Sequence, residues 1–301
     1  MEVLISVFVL SIGLLGLAAL LPVGSYTILE TVKADRAGDC GRAALRDVKV
    51  RRMLDPNSWT NTGNLGSGPS FVIDPLGVAN GATGALAGYV PRISLNMAQA
   101  AQNVFMWPDD LIVTLPELMS PAQPFGRSRL VFNSNDPITG GNTPSFSGDY
   151  SWFLSVTRTF DPTRFRTSAV ICYKRDFGPP NSGTPVERAV QVSQFYDQAS
   201  MGGQNVALGG GSIYLGANHP INDAAGTVRV RENDWVALYS SSNGLCSWYR
   251  VIAVSPDSTY LTLNGPDWQV TGQDYLIAIG QSVLGVYTTT VELDQDPTWQ
   301  Q

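Results

Sequence analysis

The sequence predicts an α+β protein, a long N-terminal membrane-spanning helix followed by a β-rich antiparallel globular region. Residues 3–23 contain no charged side chain, and from Ser25 to Leu54 there is no proline to break a helix. Beyond about residue 128 the chain divides into short runs rich in Val, Ile, Tyr, Trp and Thr, separated by Gly, Pro, Asn and Asp.

Composition narrows the function. With 301 residues, 44% hydrophobic and 15% charged, and a net charge of -6, the chain has apolar material for a core and none of the bias of a disordered protein. An isoelectric point near 4.8 argues against nucleic acid as a partner. A single histidine, His219, excludes a zinc site built from several histidines. Cys40, Cys172 and Cys246 lie too far apart for a zinc finger. No cofactor is expected.

The first element is the run from Val3 to Val23, VLISVFVLSIGLLGLAALLPV, interrupted by nothing more polar than Ser6 and Ser11. As a helix it spans roughly 31 Å, close to the hydrocarbon thickness of a bilayer. A buried soluble helix is usually shorter. A secretory signal needs a basic start and an apolar stretch of about 7–15 residues, whereas the first basic residue here is Lys33. Gly13, Gly16 and Ala18 permit close helix approach.

The neck follows, with seven basic side chains between Lys33 and Arg52 against Glu30, Asp35, Asp39 and Asp47. Leu29, Val32, Arg36, Cys40, Ala43, Ala44, Asp47 and Val48 recur every three or four residues, so one side carries a weak apolar stripe. Pro22 should kink this helix rather than end it, since helix formers resume at once. Residues 2–54 read as one helix of about 80 Å, stopped by Asp55-Pro56-Asn57. Glu2 is the anomaly. A carboxylate ahead of such a run lies among headgroups, where it favours the positive helix terminus, or is neutralised by a cation from a neighbouring subunit.

Glu2-Val3-Leu4-Ile5-Ser6 and Val9-Leu10-Ser11-Ile12-Gly13-Leu14-Leu15-Gly16-Leu17-Ala18 resemble the N-terminal methylation segment of type IV pilin-like proteins. The resemblance is nearest to the pilus-modification minor pilins and the pseudopilins of type II secretion. It is close over about the first thirty residues and loose over the rest of the helix. In that family a peptidase removes a short basic leader and methylates the new N-terminus. The family glutamate corresponds to Glu2, thought to meet a neighbouring subunit's terminal amine, and the kinking proline corresponds in kind to Pro22. The family's leader and cleavage-site glycine do not precede Glu2 here, so the chain as written is not expected to be a peptidase substrate. The resemblance implies a filament subunit with Glu2, Gly13, Gly16 and Pro22 serving assembly. Its partners are the inner membrane, crossed once, and sister subunits; the C-terminal region is periplasmic or extracellular.

The remainder divides into 55–127, loop-rich with one short helix over Leu95–Met106 capped by Ser94; 128–200, an antiparallel β region; and 201–301, a second β-rich region with strands enough for a small barrel or sandwich. Expected strands are Arg129–Phe132, Tyr150–Arg158, Ser168–Arg175, Val186–Ser193, Thr227–Arg231, Trp235–Tyr239, Ser247–Val254, Tyr260–Leu263, Tyr275–Ile279 and Val283–Leu293. Gly202-Gly203 and Gly209-Gly210-Gly211 are hinges or tight turns.

Chemistry-bearing constellations are sparse. His219, in Asn218-His219-Pro220, reads as a surface residue rather than part of a triad. Asp55, Asn57 and Asn61, or Asn133, Asn135 and Asp136, offer oxygens to calcium, which some secretion pseudopilins bind, but neither run is a regular calcium loop. Cys172 and Cys246 both fall on expected strands beyond the membrane, where an oxidising compartment permits them to pair. Trp235, Trp248, Trp268 and Trp299 line either a sugar-binding face or a core. The expected function is a non-enzymatic filament subunit. The alternative is an anchored envelope protein that never polymerises and binds a glycan or another envelope or extracellular ligand. An anchored hydrolase using Asp109 and Asp110 comes third.

Overall fold

A computed structural model describes residues 2–50, 54, 59–60, 70–74, 85–86, 88–95, 130–133, 143–146, 150–159, 164–175, 187–217, 219–222, 228–279 and 283–292. Helix α1 is Glu2–Val50. The strands are β1 Trp59–Thr60, β2 Ser70–Ile73, β3 Ala85–Leu86, β4 Val90–Leu95, β5 Leu130–Asn133, β6 Thr143–Phe146, β7 Tyr150–Arg158, β8 Arg164–Tyr173 and β9 Glu187–Gln191. They continue as β10 Gln194–Met201, β11 Gln204–Tyr214, β12 Trp235–Ser240, β13 Cys246–Val254, β14 Tyr260–Asn264, β15 Trp268–Gln269, β16 Asp274–Ile279 and β17 Val283–Glu292.

This corrects the expected α+β class. The chain is mostly β-sheet, built on two large sheets, and no helix among the described residues is long and apolar enough to cross a membrane. The class follows from the strands, seventeen of them against one described helix. From Glu30 onward α1 carries charged side chains, and its C-terminal half rests on a sheet. The expected helix over Leu95–Met106 is also corrected where it is described: Ser94 and Leu95 pair with Thr60 and Trp59 in a sheet. Val228–Arg231 is not a strand, although Val228 and Val230 are buried as strand residues would be.

The first sheet has the order β1-β4-β2-β7-β8-β17, with β3 added to β4. All its pairs are antiparallel except β2 with β4. Its long pair, β7 with β8, alternates strictly. Trp152, Leu154 and Val156 face the helix, while Phe153 and the residues in step with it face the second sheet. Both faces are therefore covered, and β7 is buried almost end to end.

The second sheet runs β10-β11-β14-β13-β12-β16-β9, with β15 beside β11. Its two edges, β9 and β10, are consecutive in the chain. Between them the Val192 amide donates to Asp274 O of one flank and the Ser193 amide to Tyr214 O of the other, both at 2.8 Å. The sheet thereby closes into a small barrel around Val190, Phe195, Ile213, Leu238, Tyr249 and Leu276, among others. Gly202 and Gly203, at φ 60° and 83°, form the β10–β11 hairpin turn, a conformation that disfavours side chains. Gly209–Gly211, also at positive φ, form a bulge facing Asp197 at φ 59°, where β11 leaves β15 to pair with β14. Both glycine runs are turns of the barrel. The layers are thus helix, open sheet and barrel, with β17 returning from the barrel to edge the open sheet.

Candidate functional site

The expected assembly residues all lie on α1, and they fall in its N-terminal half. Nine large apolar side chains between Val3 and Leu15 are 55–75% exposed, among them Phe8 at 66% and Leu15 at 70%. A Cβ added at Gly13 meets nothing within 4 Å. Pro22 sits inside the helix, which continues through it, and the Ser25 hydroxyl donates to the Pro22 carbonyl at 2.9 Å. The side chains of Glu2 and Gly16 lie outside the described residues. Together the helix half offers a bare apolar cylinder.

The C-terminal half behaves oppositely. Ala37, Cys40, Ala44 and Val48 are at most 3% exposed and pack on Trp152, Leu154, Phe165 and Ile171 of the open sheet. Gly41 permits this approach. A Cβ there would meet Tyr287 Cδ2 at 2.2 Å, so the β17 ring lies in the notch left by the missing side chain. Burial pushes the Tyr287 hydroxyl above its usual range. On the solvent side Lys33 pairs with Glu30 at 2.9 Å and Arg42 with Asp39, both i,i+3. Glu30 holds the Lys33 ammonium above its ordinary pKa, and Lys33 also lies 5.2 Å from the centre of the Tyr173 ring.

Between open sheet and barrel the contacts are polar at both ends of an apolar centre. At one end Asp74 accepts from Arg92 Nε at 3.0 Å and from Arg175 Nη1 at 2.8 Å, while Arg92 Nη2 reaches Glu187 of β9. All four side chains are at most 2% exposed, so two guanidinium and two carboxylate groups neutralise one another out of water. At the other end Thr157 donates to the Cys246 carbonyl at 2.8 Å, and Arg166 donates to Ser247 at 3.1 Å.

The pairing expected of Cys172 and Cys246 is not formed. Cys40, Cys172 and Cys246 are all buried thiols. Cys246 hydrogen-bonds Ser155, whereas Cys172 stands opposite Ser151, four residues away along β7. That offset is about 13 Å, beyond the Cα separation a disulfide tolerates. Burial pushes the Cys246 thiol up to about 12.

Of the other expected groups, His219 is exposed. Asn133 ends β5, but Asn135, Asp136, Asp55, Asn57, Asn61, Asp109, Asp110 and Trp299 lie outside the described residues. No group of His, Cys, Asp and Glu that would hold a metal occurs among the described residues. Of the two readings of the tryptophans, the core one holds for Trp248 and Trp268, which are 6% and 3% exposed and belong to two different cores, while Trp235 is half-buried. Strand tryptophans had more apolar area to lose to water than to offer a ligand.

Comparison with known proteins adds nothing to this geometry. The chain matches no family model and no curated protein.

Two features escaped the sequence reading. The buried Asp74–Arg92–Arg175–Glu187 group joins residues more than a hundred positions apart, and no local spacing marks it. Tyr196, Tyr214 and Tyr260 form a row on the barrel's outer face, with Tyr214 and Tyr260 centroids 4.5 Å apart. No local pattern marks it, since β14 contributes a single aromatic residue and the β10–β11 hairpin is rich in Gln, Asn and Gly.

Proposed function

We propose that the chain is a structural subunit of a type IV pilus or type II secretion filament, a minor pilin or pseudopilin, held at the inner membrane before assembly with its β-rich body on the periplasmic or extracellular side. One observation carries this. A helix docked firmly by its C-terminal half leaves nine large apolar side chains of its N-terminal half in the open. Contiguous apolar surface of that size marks an interaction site. Sister helices of like character, approaching across Gly13, would bury it. The proposal gives Glu2 its role as partner of a neighbour's terminal amine, and Gly16 and Pro22 theirs in packing and curving the helix. The body neither catalyses nor holds a cofactor in this reading; it decorates the filament and meets its partner there.

Glu2→Ala tests the reading against a solitary anchored binding protein. A filament subunit bearing this change fails to enter filaments while its body stays folded. Unaltered incorporation would contradict the proposal and favour the solitary protein.

A further inference from the structure

Where α1 leaves the body, positive charge is gathered around one ring. The chain holds only three lysines, Lys33, Lys49 and Lys174, and two of them lie over Tyr173. The Lys33 ammonium is 5.2 Å from the ring centre and the Lys174 ammonium 5.4 Å. The two charges are therefore at most about 11 Å apart, near the screening length of about 10 Å at roughly 0.1 M salt. Tyr150, the register partner of Tyr173 on β7, braces the ring edge-on at 5.1 Å. Lys33 is already paired with Glu30, so docking of the helix on the sheet asks for no second cation. Lys174 supplies one all the same. It is exposed, makes no ion pair among the described residues, and holds φ 46°, a left-handed conformation costly for a residue with a side chain.

The neighbouring groups narrow the occupant. On the turns of α1 just before Lys33, Tyr26, Ile28 and Leu29 are 59–67% exposed, in line with the bare apolar surface of Val3–Leu15. Apolar side chains, then tyrosines, then lysines is the order of groups met on crossing from hydrocarbon to headgroup phosphates. The rest of the body does not suit an anionic surface. Residues 55–301 carry twelve basic side chains against twenty acidic ones, and Lys174 is their only lysine. Such a body is repelled by anionic lipid except where a positive charge leads. An acidic protein would also meet the ammonium groups, but it would leave Tyr26, Ile28 and Leu29 in water.

We propose that Lys33, Tyr173 and Lys174, with Tyr26 of the adjoining helix, form a collar that rests on the phosphate layer of a phospholipid surface, Lys174 supplying the attraction to anionic headgroups. This rests on the reading of a subunit held at the inner membrane before assembly, and names what its body meets there. The full chain is transferred from detergent to vesicles of phosphatidylcholine, alone or mixed with phosphatidylglycerol, and partitioning is measured by flotation. Tighter binding to the mixed vesicles is expected, about fivefold weaker for Lys174→Gln. That loss disappears on phosphatidylcholine alone and at high salt. Arg250→Gln, exposed on the barrel, changes nothing. Where Lys174→Gln disturbs folding, Lys174→Gly removes the same charge and relieves the positive φ. Equal binding to both kinds of vesicle, or the same loss for Arg250→Gln, overturns the proposal. So does a Lys174→Gln chain that binds vesicles like the parent yet enters filaments poorly, which would assign the collar to an acidic sister subunit. A lipid preference that depends on Lys174, in a chain whose Glu2→Ala variant enters filaments unaltered, would sink the filament reading and leave this one standing.

Discussion

The two halves of α1 meet opposite surroundings. Val3 to Leu15 is the more apolar half, yet its large side chains remain in the open, whereas the charged half from Lys33 to Val48 buries a line of small ones. The difference shows that burial inside a chain is decided by shape as much as by hydropathy. The open sheet presents Tyr287, Trp152 and Phe165 to the helix, and the small residues Ala37, Cys40, Gly41 and Ala44 on the facing side let the backbone come close. A larger side chain at Gly41 would hold the helix away. The apolar half has no such counterpart among the described residues, which is why its covering is sought in other subunits.

The comparison breaks most severely at the buried half. Ala44→Asp places an unpaired carboxylate against the sheet and should cost about 3–5 kcal/mol in urea unfolding of the solubilised chain. Asp74→Asn, which deprives Arg92 and Arg175 of their shared partner, should cost about as much at the other inter-layer joint. Gly41→Ala is gentler, about 1–3 kcal/mol, because the helix must lift from Tyr287 by the width of a methyl group. A loss of less than about 0.5 kcal/mol there would show that the notch is not what holds the helix down.

A pH series sharpens the account of the sheet–barrel joint. The Cys246 thiol ionises near 12 when folded against an ordinary 9.0, so folding favours its protonated form. Its contribution is complete below about pH 9 and is lost as pH rises from 9 towards 12, by about 1.4 kcal/mol per pH unit. Cys246→Ser should flatten the alkaline limb of a stability–pH curve relative to the parent; parallel limbs would place the thiol in water. The smallest effect belongs to the exposed half, where Leu14→Ser should change the stability of the isolated chain by less than about 0.5 kcal/mol.

Much of the fold was legible because its strands obey local chemistry. In Tyr150–Arg158 the apolar residues Tyr150, Trp152, Leu154 and Val156 alternate with Ser151, Phe153, Ser155 and Thr157, and the run is the strand β7 to the residue. Pro22 lies within a continuous helix, described from Glu2 to Val50. Illegibility had physical causes. The β10–β11 hairpin is rich in Gln, Asn and Gly, a poor strand composition, and is held by barrel closure rather than by propensity. Ser94 looked like a helix cap, but its strand pairs with Thr60, a partner thirty-four residues earlier. Of the candidate site, the apolar helix half was plain from composition. The tyrosine row and the buried ion pairs exist only once strands distant in sequence lie side by side.

The central claim is that the exposed half of α1 is covered by other protein helices. A photo-crosslinking amino acid in place of Leu14, activated in cells that assemble the filament, tests it most directly. The account predicts covalent adducts larger by a whole protein chain, reduced in the Glu2→Ala background. Adducts with lipid alone, or the same protein adducts with and without Glu2, would contradict it.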